Sequence, residues 1–413
     1  MKNFKSSVIA LALLSASTFV QAERIAITNA TLHTATQAGV LTNASVVLED
    51  GKIVAINPES VTADTVVDAQ GKIVTPGFIG SMNNLGLVEV GAVATSRDAA
   101  EKKADLTFDP SLAFNPMSAA IAFSRKGGVT TNLVVPKGGD AIFKGQAFVA
   151  NLSGDFDSVE QQQHALYVEL GAKSKGSRAF DLQTLTHKLE DAEKALNKKA
   201  KKKKKAKDEK EVKRSEKIIN AVLKGEKPII VDVDRATDIL ALLALKKRFN
   251  LDLIIAGAAD AVVVAKQLAD ANVTVIIDAV RNLPGSFDSL HTALDSAAIL
   301  DKAGVKVILS SYSAHNLSQM RFDAGIAVAN GLAKEQALKA ITANISDALH
   351  LDSGKIAVGK KADLVMWNAD PFEISSRVEK MWINGEEKST LSRQDALRKR
   401  YTTDSDMPRA YTK

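Results

Sequence analysis

The chain has 413 residues, 46% of them hydrophobic and 25% charged, a balance that supports a large buried core and excludes an intrinsically disordered protein. It has no cysteine, which excludes disulfides and thiolate metal sites. The formal charge of +6 permits an anionic partner or surface, but it comes from one tract and does not describe the main body.

Residues 1–22 read as an export leader. Lys2 and Lys5 form the basic start, residues 8–14 the apolar stretch, and Val20-Gln21-Ala22 a small-residue cleavage site. An apolar run of about 7 residues is far short of the roughly 20 that span a bilayer, and no later segment reaches that length either. The expected location is periplasmic, with cleavage after Ala22, and secretion is the alternative. Loss of Lys2 and Lys5 takes the charge from +6 to +4.

Short apolar segments follow at 25–32, 44–48, 52–56 and 66–74, with Asp50-Gly51 as a tight turn. Two strands joined by Asp-Gly are a strong hairpin signal. The same texture returns at 363–367 and 378–383, followed by Asn384-Gly385. Between these ends, β-branched runs at 77–81, 129–135, 147–152, 165–170, 228–233, 251–255, 273–277 and 305–310 alternate with helical stretches. That is the pattern of parallel strands with crossover helices. No glycine-rich phosphate loop follows the first run, which argues against an open dinucleotide-binding sheet.

Residues 179–224 break the rhythm. Leu182, Leu185, Leu189, Leu196, Val212, Ile218, Ile219 and Leu223 are spaced as on helices. Between them lie Lys198, Lys199, Lys201, Lys202, Lys203, Lys204, Lys205 and Lys207. Eight lysines set against a net charge of +4 leave the rest of the mature chain at −4. The tract reads as a solvated helical arm, or as a handle for an acidic partner or anionic lipid. Nucleic acid is not expected, because the tract has no aromatic residue on which bases could stack.

The stretch Val74-Thr75-Pro76-Gly77-Phe78-Ile79-Gly80-Ser81-Met82-Asn83-Asn84 resembles the first barrel strand of the amidohydrolase superfamily, where Pro-Gly-Phe-Ile precedes Asp-x-His-x-His. Gly359-Lys360-Lys361-Ala362-Asp363-Leu364-Val365 resembles the entry into that superfamily's last strands. The resemblance is to its imidazolonepropionase-like and exported dipeptidase-like branch. It implies an α/β fold: a (β/α)8 TIM-type barrel with a small composite β-sandwich formed by both chain ends. Residues 23–75 and 353–392 would form the sandwich, 76–352 the barrel with its insertion at about 179–224, and 393–413 a tail.

The resemblance also implies degenerate metal-ligand positions. Met82 and Asn84 stand where the family has two histidines, Asp232 and Asp234 where Val-His-Ala-His has two more, and Tyr312 where it has an aspartate. Asn151 falls at the bridging Lys or Glu. Thioether and carboxamide are poor zinc ligands, so neither a metal nor another cofactor is expected. Asp232 and Asp234 lie on one face of a strand and are the candidate catalytic pair, either binding a hard divalent ion or exchanging protons. The plainer alternative pairs them with Arg235 or makes them cap the helix near Thr237. Asp278, Tyr312 and His315 are candidate binding residues, with Glu89 and Asp260 nearby.

Three functions follow. The chain is a non-catalytic homologue that docks an active relative or itself, or a hydrolase of C–N bonds built on Asp232 and Asp234. The third is a binding protein that retains small peptides or cyclic amides.

Overall fold

Among the described residues of the computed structural model, 23–139, 141–174, 176–202 and 213–403, sixteen strands form two sheets. The expected leader and Lys203, Lys204, Lys205 and Lys207 lie outside them. The strands in chain order are β1 (Ile25–His33), β2 (Val40–Glu49), β3 (Lys52–Ile56), β4 (Thr65–Asp68), β5 (Ile73–Pro76), β6 (Phe78–Asn83), β7 (Val129–Val134) and β8 (Phe143–Asn151). There follow β9 (Val159–Glu169), β10 (Ile229–Val233), β11 (Leu253–Gly257), β12 (Thr274–Ile277), β13 (Val307–Leu309), β14 (Leu364–Trp367), β15 (Val378–Ile383) and β16 (Glu386–Glu387).

The first sheet is shared by the two ends of the chain, in the order β16-β15-β14-β5-β1-β2-β3, with β4 beside β1. Its seam is the antiparallel pairing of β5 with β14, in which Val74 faces Met366 and Pro76 faces Leu364. Asp50 and Gly51 have φ of 50° and 71°, and Asn384 and Gly385 have 50° and 79°. These left-handed pairs are what two-residue hairpin turns require. Ile27, Leu32, Ile53, Val74, Leu364 and Trp382 bury the sheet's inner face.

The second sheet takes β6 to β13 in strict chain order. It curls until the Ser310 hydroxyl, just past β13, donates to the Ser81 carbonyl of β6 at 2.6 Å. Strand alternation sorts its side chains between two buried faces. Ile79, Leu133, Tyr167, Ile230, Ile254, Ile276 and Ile308 fill the concave side, while Val231, Val233, Ile255 and Val275 pack outward with Ile239, Leu242 and Leu245 of helix Ala236–Phe249.

One strand departs from the expected parallel run. β8 is antiparallel to both neighbours. Fewer than ten residues separate it from β7 and from β9, too few for a crossover helix. After β9, helices Arg178–Lys202 and Arg214–Leu223 form the arm. Leu185, Leu189, Ile218, Ile219 and Val222 are buried in it.

Candidate functional site

The functional face is built at the C-terminal ends of β9 to β12, where parallel strands leave side chains and loops facing a common opening. Ile230 points into the concave side and Val231 and Val233 away from it, so alternation sends Asp232 inward, with Asp234 following it. Asp232 pairs in register with Glu169 at the end of β9. The same alternation on β9 puts Tyr167 and Glu169 together, and the Tyr167 hydroxyl lies 3.1 Å from Asp232 Oδ2 and 3.3 Å from Glu169 Oε1.

The strand ends are joined by cations. Lys173, in the short turn Gly171–Lys173 after β9, donates from Nζ to Asp232 Oδ1 and lies 3.7 Å from Asp234 Oδ1. Arg281 Nη1 also lies 3.7 Å from Asp234 Oδ1. Lys144 on β8 is buried and brings Nζ to 3.2 Å from Glu169 Oε2. Three cations thus meet three carboxylates. Gly257, at φ 78°, makes room for this, because a Cβ there would overlap Lys173 Nζ and both aspartates.

Burial works against the charge on Lys173, but Asp232 and Asp234 outweigh it and hold its pKa above the ordinary lysine value. Burial, reinforced by Asp232, pushes the Tyr167 and Tyr312 hydroxyls well above the ordinary tyrosine value, so both are neutral at neutral pH. Tyr312 is in the left-handed region at φ 51° and accepts the Gly257 N–H at 2.8 Å. The arrangement can hold charge in fixed places. It contains no carboxylate free of a cation or hydrogen-bond donor among Glu169, Asp232 and Asp234.

Arg235 is engaged elsewhere, which corrects the expected pairing with Asp232 or Asp234. Its Nη2 lies 2.7 Å from Asp288 Oδ1, while Arg178 donates to Asp288 Oδ2. Burial opposes the Asp288 charge, but the two arginines prevail and lower its pKa. The cap of helix Ala236–Phe249 comes from Asp260, whose Oδ2 accepts the Ala236 N–H at 3.0 Å and whose Oδ1 lies 2.7 Å from His291 Nδ1.

The other sequence candidates scatter. Met82, at φ 57° near the end of β6, is buried in the concave core. Asn84 is half-buried, and its carbonyl accepts the Leu87 N–H. Asp278, just past β12, accepts the Val280 N–H at 3.0 Å and lines a small cleft with Gly257 and Arg281. His315 is exposed in the turn Ala314–Gln319 and takes no part in the ion-pair cluster. Glu89 is held by Asn115 and Ser118.

Asn151 needs correction. It pairs with Thr131 near the start of β7, at the opposite end of the sheet, because β8 runs backward. The residue that closes the fourth strand is Glu169. His164 lies on β9, with Nε2 2.7 Å from the Leu349 carbonyl. The residues missed by sequence reasoning are Lys173, Tyr167, Glu169, Lys144 and Arg281. Alternation from the run at 165–170 was enough to find Tyr167 and Glu169. No three His, Cys, Asp or Glu side chains among the described residues converge so as to hold a metal ion.

A model of the amidohydrolase family matches residues 73–388. Among solved structures, an amidohydrolase from Thermotoga maritima MSB8 is 25% identical with a TM-score of 0.80, covering 88% of this chain and 99% of that one. Molinate hydrolase is 15% identical with a TM-score of 0.55, covering 90% and 96%. An adenosine deaminase from Xanthomonas campestris, solved with bound zinc, is 17% identical with a TM-score of 0.52, covering 88% and 92%. The last two are similar in fold alone. No curated protein matches the chain.

Proposed function

The chain belongs to the amidohydrolase family, and we propose that it is a non-catalytic member whose barrel serves as a docking body for an active relative or for a second copy of itself. The observation that carries this reading is the Lys173 ammonium bonded to Asp232 and lying between Asp232 and Asp234. A divalent ion in such barrels supplies a water of lowered pKa and polarises the scissile carbonyl. The donor set here does not fit one. Met82 offers a buried thioether and Asn84 an amide, Asp232 is turned to an ammonium, and Tyr312 is a neutral phenol whose oxygen already accepts the Gly257 N–H.

The same reading takes the curled sheet as a closed (β/α)8 barrel spanning 76–352, the shared sheet as a composite sandwich from 23–75 and 353–392, and residues 1–22 as a leader cleaved after Ala22 into the periplasm. Secretion to the medium stays as the alternative. The lysines from 198 to 207 are proposed as a handle for an acidic partner or anionic lipid. The competing reading is an amide or lactam hydrolase working on Asp232 and Asp234, with or without a carboxylate-bound ion. It requires Lys173 to leave Asp232.

Turnover of dipeptides, lactams and N-acyl amides, with and without added zinc, manganese or magnesium, tests the proposal. No turnover is expected under any condition. Turnover that disappears in Asp232→Asn would overturn it in favour of the hydrolase.

A further inference from the structure

Helix Arg393–Thr402 lies beyond the family match, which ends at 388, and buries none of its residues. Isolated helices this short are marginal in water and are ordinarily held by packing of an apolar face. This one is held by its N-terminus. Ser392 and Asp395 form a capping box, the Lys126 ammonium donates to Asp395 at 2.7 and 2.8 Å, and Arg125 donates to the Ser389 carbonyl just upstream. The helix's one acid is therefore spent on the anchor.

What remains is basic and outward. Arg393, Arg398, Lys399 and Arg400 are exposed, and none has an ion-pair partner among the described residues. Arg393, Leu397, Arg400 and Tyr401 follow i, i+4, i+7, i+8 spacing and share one face, and Asp395 lies on the opposite side, toward the body. Leu397 and Tyr401 are 39% and 69% exposed, and the Arg400 guanidinium sits 5.8 Å from the Tyr401 ring centroid. The chain from 389 to its end carries six cations and three acids, while the body apart from the lysine tract is net negative.

We propose that helix Arg393–Thr402 docks the protein on an anionic phospholipid surface. Four exposed basic side chains around an open, convex helix suit an anionic bilayer surface, where guanidinium and ammonium groups meet phosphates and the Tyr401 ring rests at headgroup level. A peptide partner would call for a groove, and this helix supplies none. The inference is independent of whether the barrel is catalytic. Each cation at such a surface strengthens partitioning by about fivefold, and the effect falls away within a Debye length.

The test is co-sedimentation of the full mature chain with vesicles of phosphatidylglycerol in phosphatidylcholine, or of phosphatidylcholine alone, at low and high salt. The chain should bind only the anionic vesicles, and only at low salt. Arg393→Gln with Arg400→Gln should weaken partitioning by roughly 25-fold, and Tyr401→Ser should weaken it further. Circular dichroism melts confirm that these exposed substitutions leave the fold intact. Three results overturn the proposal: no preference for anionic vesicles, a loss of binding that follows only deletion of residues 198–207, or binding to polyglutamate without binding to vesicles.

Discussion

Lys173→Met removes the ammonium that neutralises Asp232 while keeping most of the side-chain volume. Breaking a buried ion pair from one side costs about 3–5 kcal/mol. Lys173 keeps 25% of its side-chain surface in water against 7% for Asp232, so some of that cost is relieved by solvent, leaving about 2–3 kcal/mol. Unfolding entropy near 2.1 cal/mol/K per residue gives roughly 0.8 kcal/mol/K for a body of this size, so Tm should fall by about 2.5–4 °C. The double variant Lys173→Met/Asp232→Asn leaves no uncompensated charge and should recover most of the loss, with a coupling of about 2 kcal/mol.

Neutral pH is the right place for this cycle. The folded Lys173 pKa lies above its ordinary 10.5, so the stabilisation is fully present below that value and is lost only as pH rises through the folded pKa. Calorimetric or urea melts of the wild type, the two single variants and the double variant supply the numbers. A Lys173→Met chain as stable as wild type, or strictly additive variants, would refute the claim that the ammonium is the site's counter-ion.

Burial, with the nearby Asp278 charge adding to it, raises Asp323 to about 7. The folded state therefore holds that proton more tightly than the unfolded chain does, and wild-type stability should fall between about pH 4 and pH 7. Asp323→Asn should be the more stable form at pH 8 by about 2–4 kcal/mol and lose that advantage at pH 4; a difference independent of pH in urea titrations contradicts this. Gly257→Ala should cost at least about 2 kcal/mol, because the left-handed backbone is strained for alanine and the methyl displaces Lys173, and a melt within 1 °C of wild type argues otherwise. Tyr167→Phe removes the hydroxyl next to Asp232 and should cost about 1–3 kcal/mol in a urea midpoint series; a neutral result would show that Asp232 does not need that donor.

Local signals were legible where the physics is local. Asp50-Gly51 and Asn384-Gly385 demand left-handed φ, and alternation alone placed Asp232 and Asp234 on one side of their strand. Strand direction was not legible, because a buried run such as 147–152 looks the same read up or down the sheet. That reversal is why Asn151 was assigned to the wrong end. Lys173 was invisible for a different reason: it sits in a three-residue turn with no periodicity, and its partners lie on a strand reached only after the helical arm. Arg235 misled by being next to Asp234 in sequence, although the start of its helix turns it toward Asp288. Loop-borne cations that arrive from distant segments are what a pattern of periods and turns cannot bring together.

In the proposed reading, the Lys173 ammonium stands among the carboxylates at the mouth where a metal ion would otherwise sit. A crystal structure of the chain grown in millimolar zinc or manganese, with anomalous data at the metal edge, tests it most directly. Lys173 Nζ is expected against Asp232, with no anomalous peak within coordination distance of Asp232 or Asp234. A well-occupied peak there, with Lys173 swung away, would contradict it.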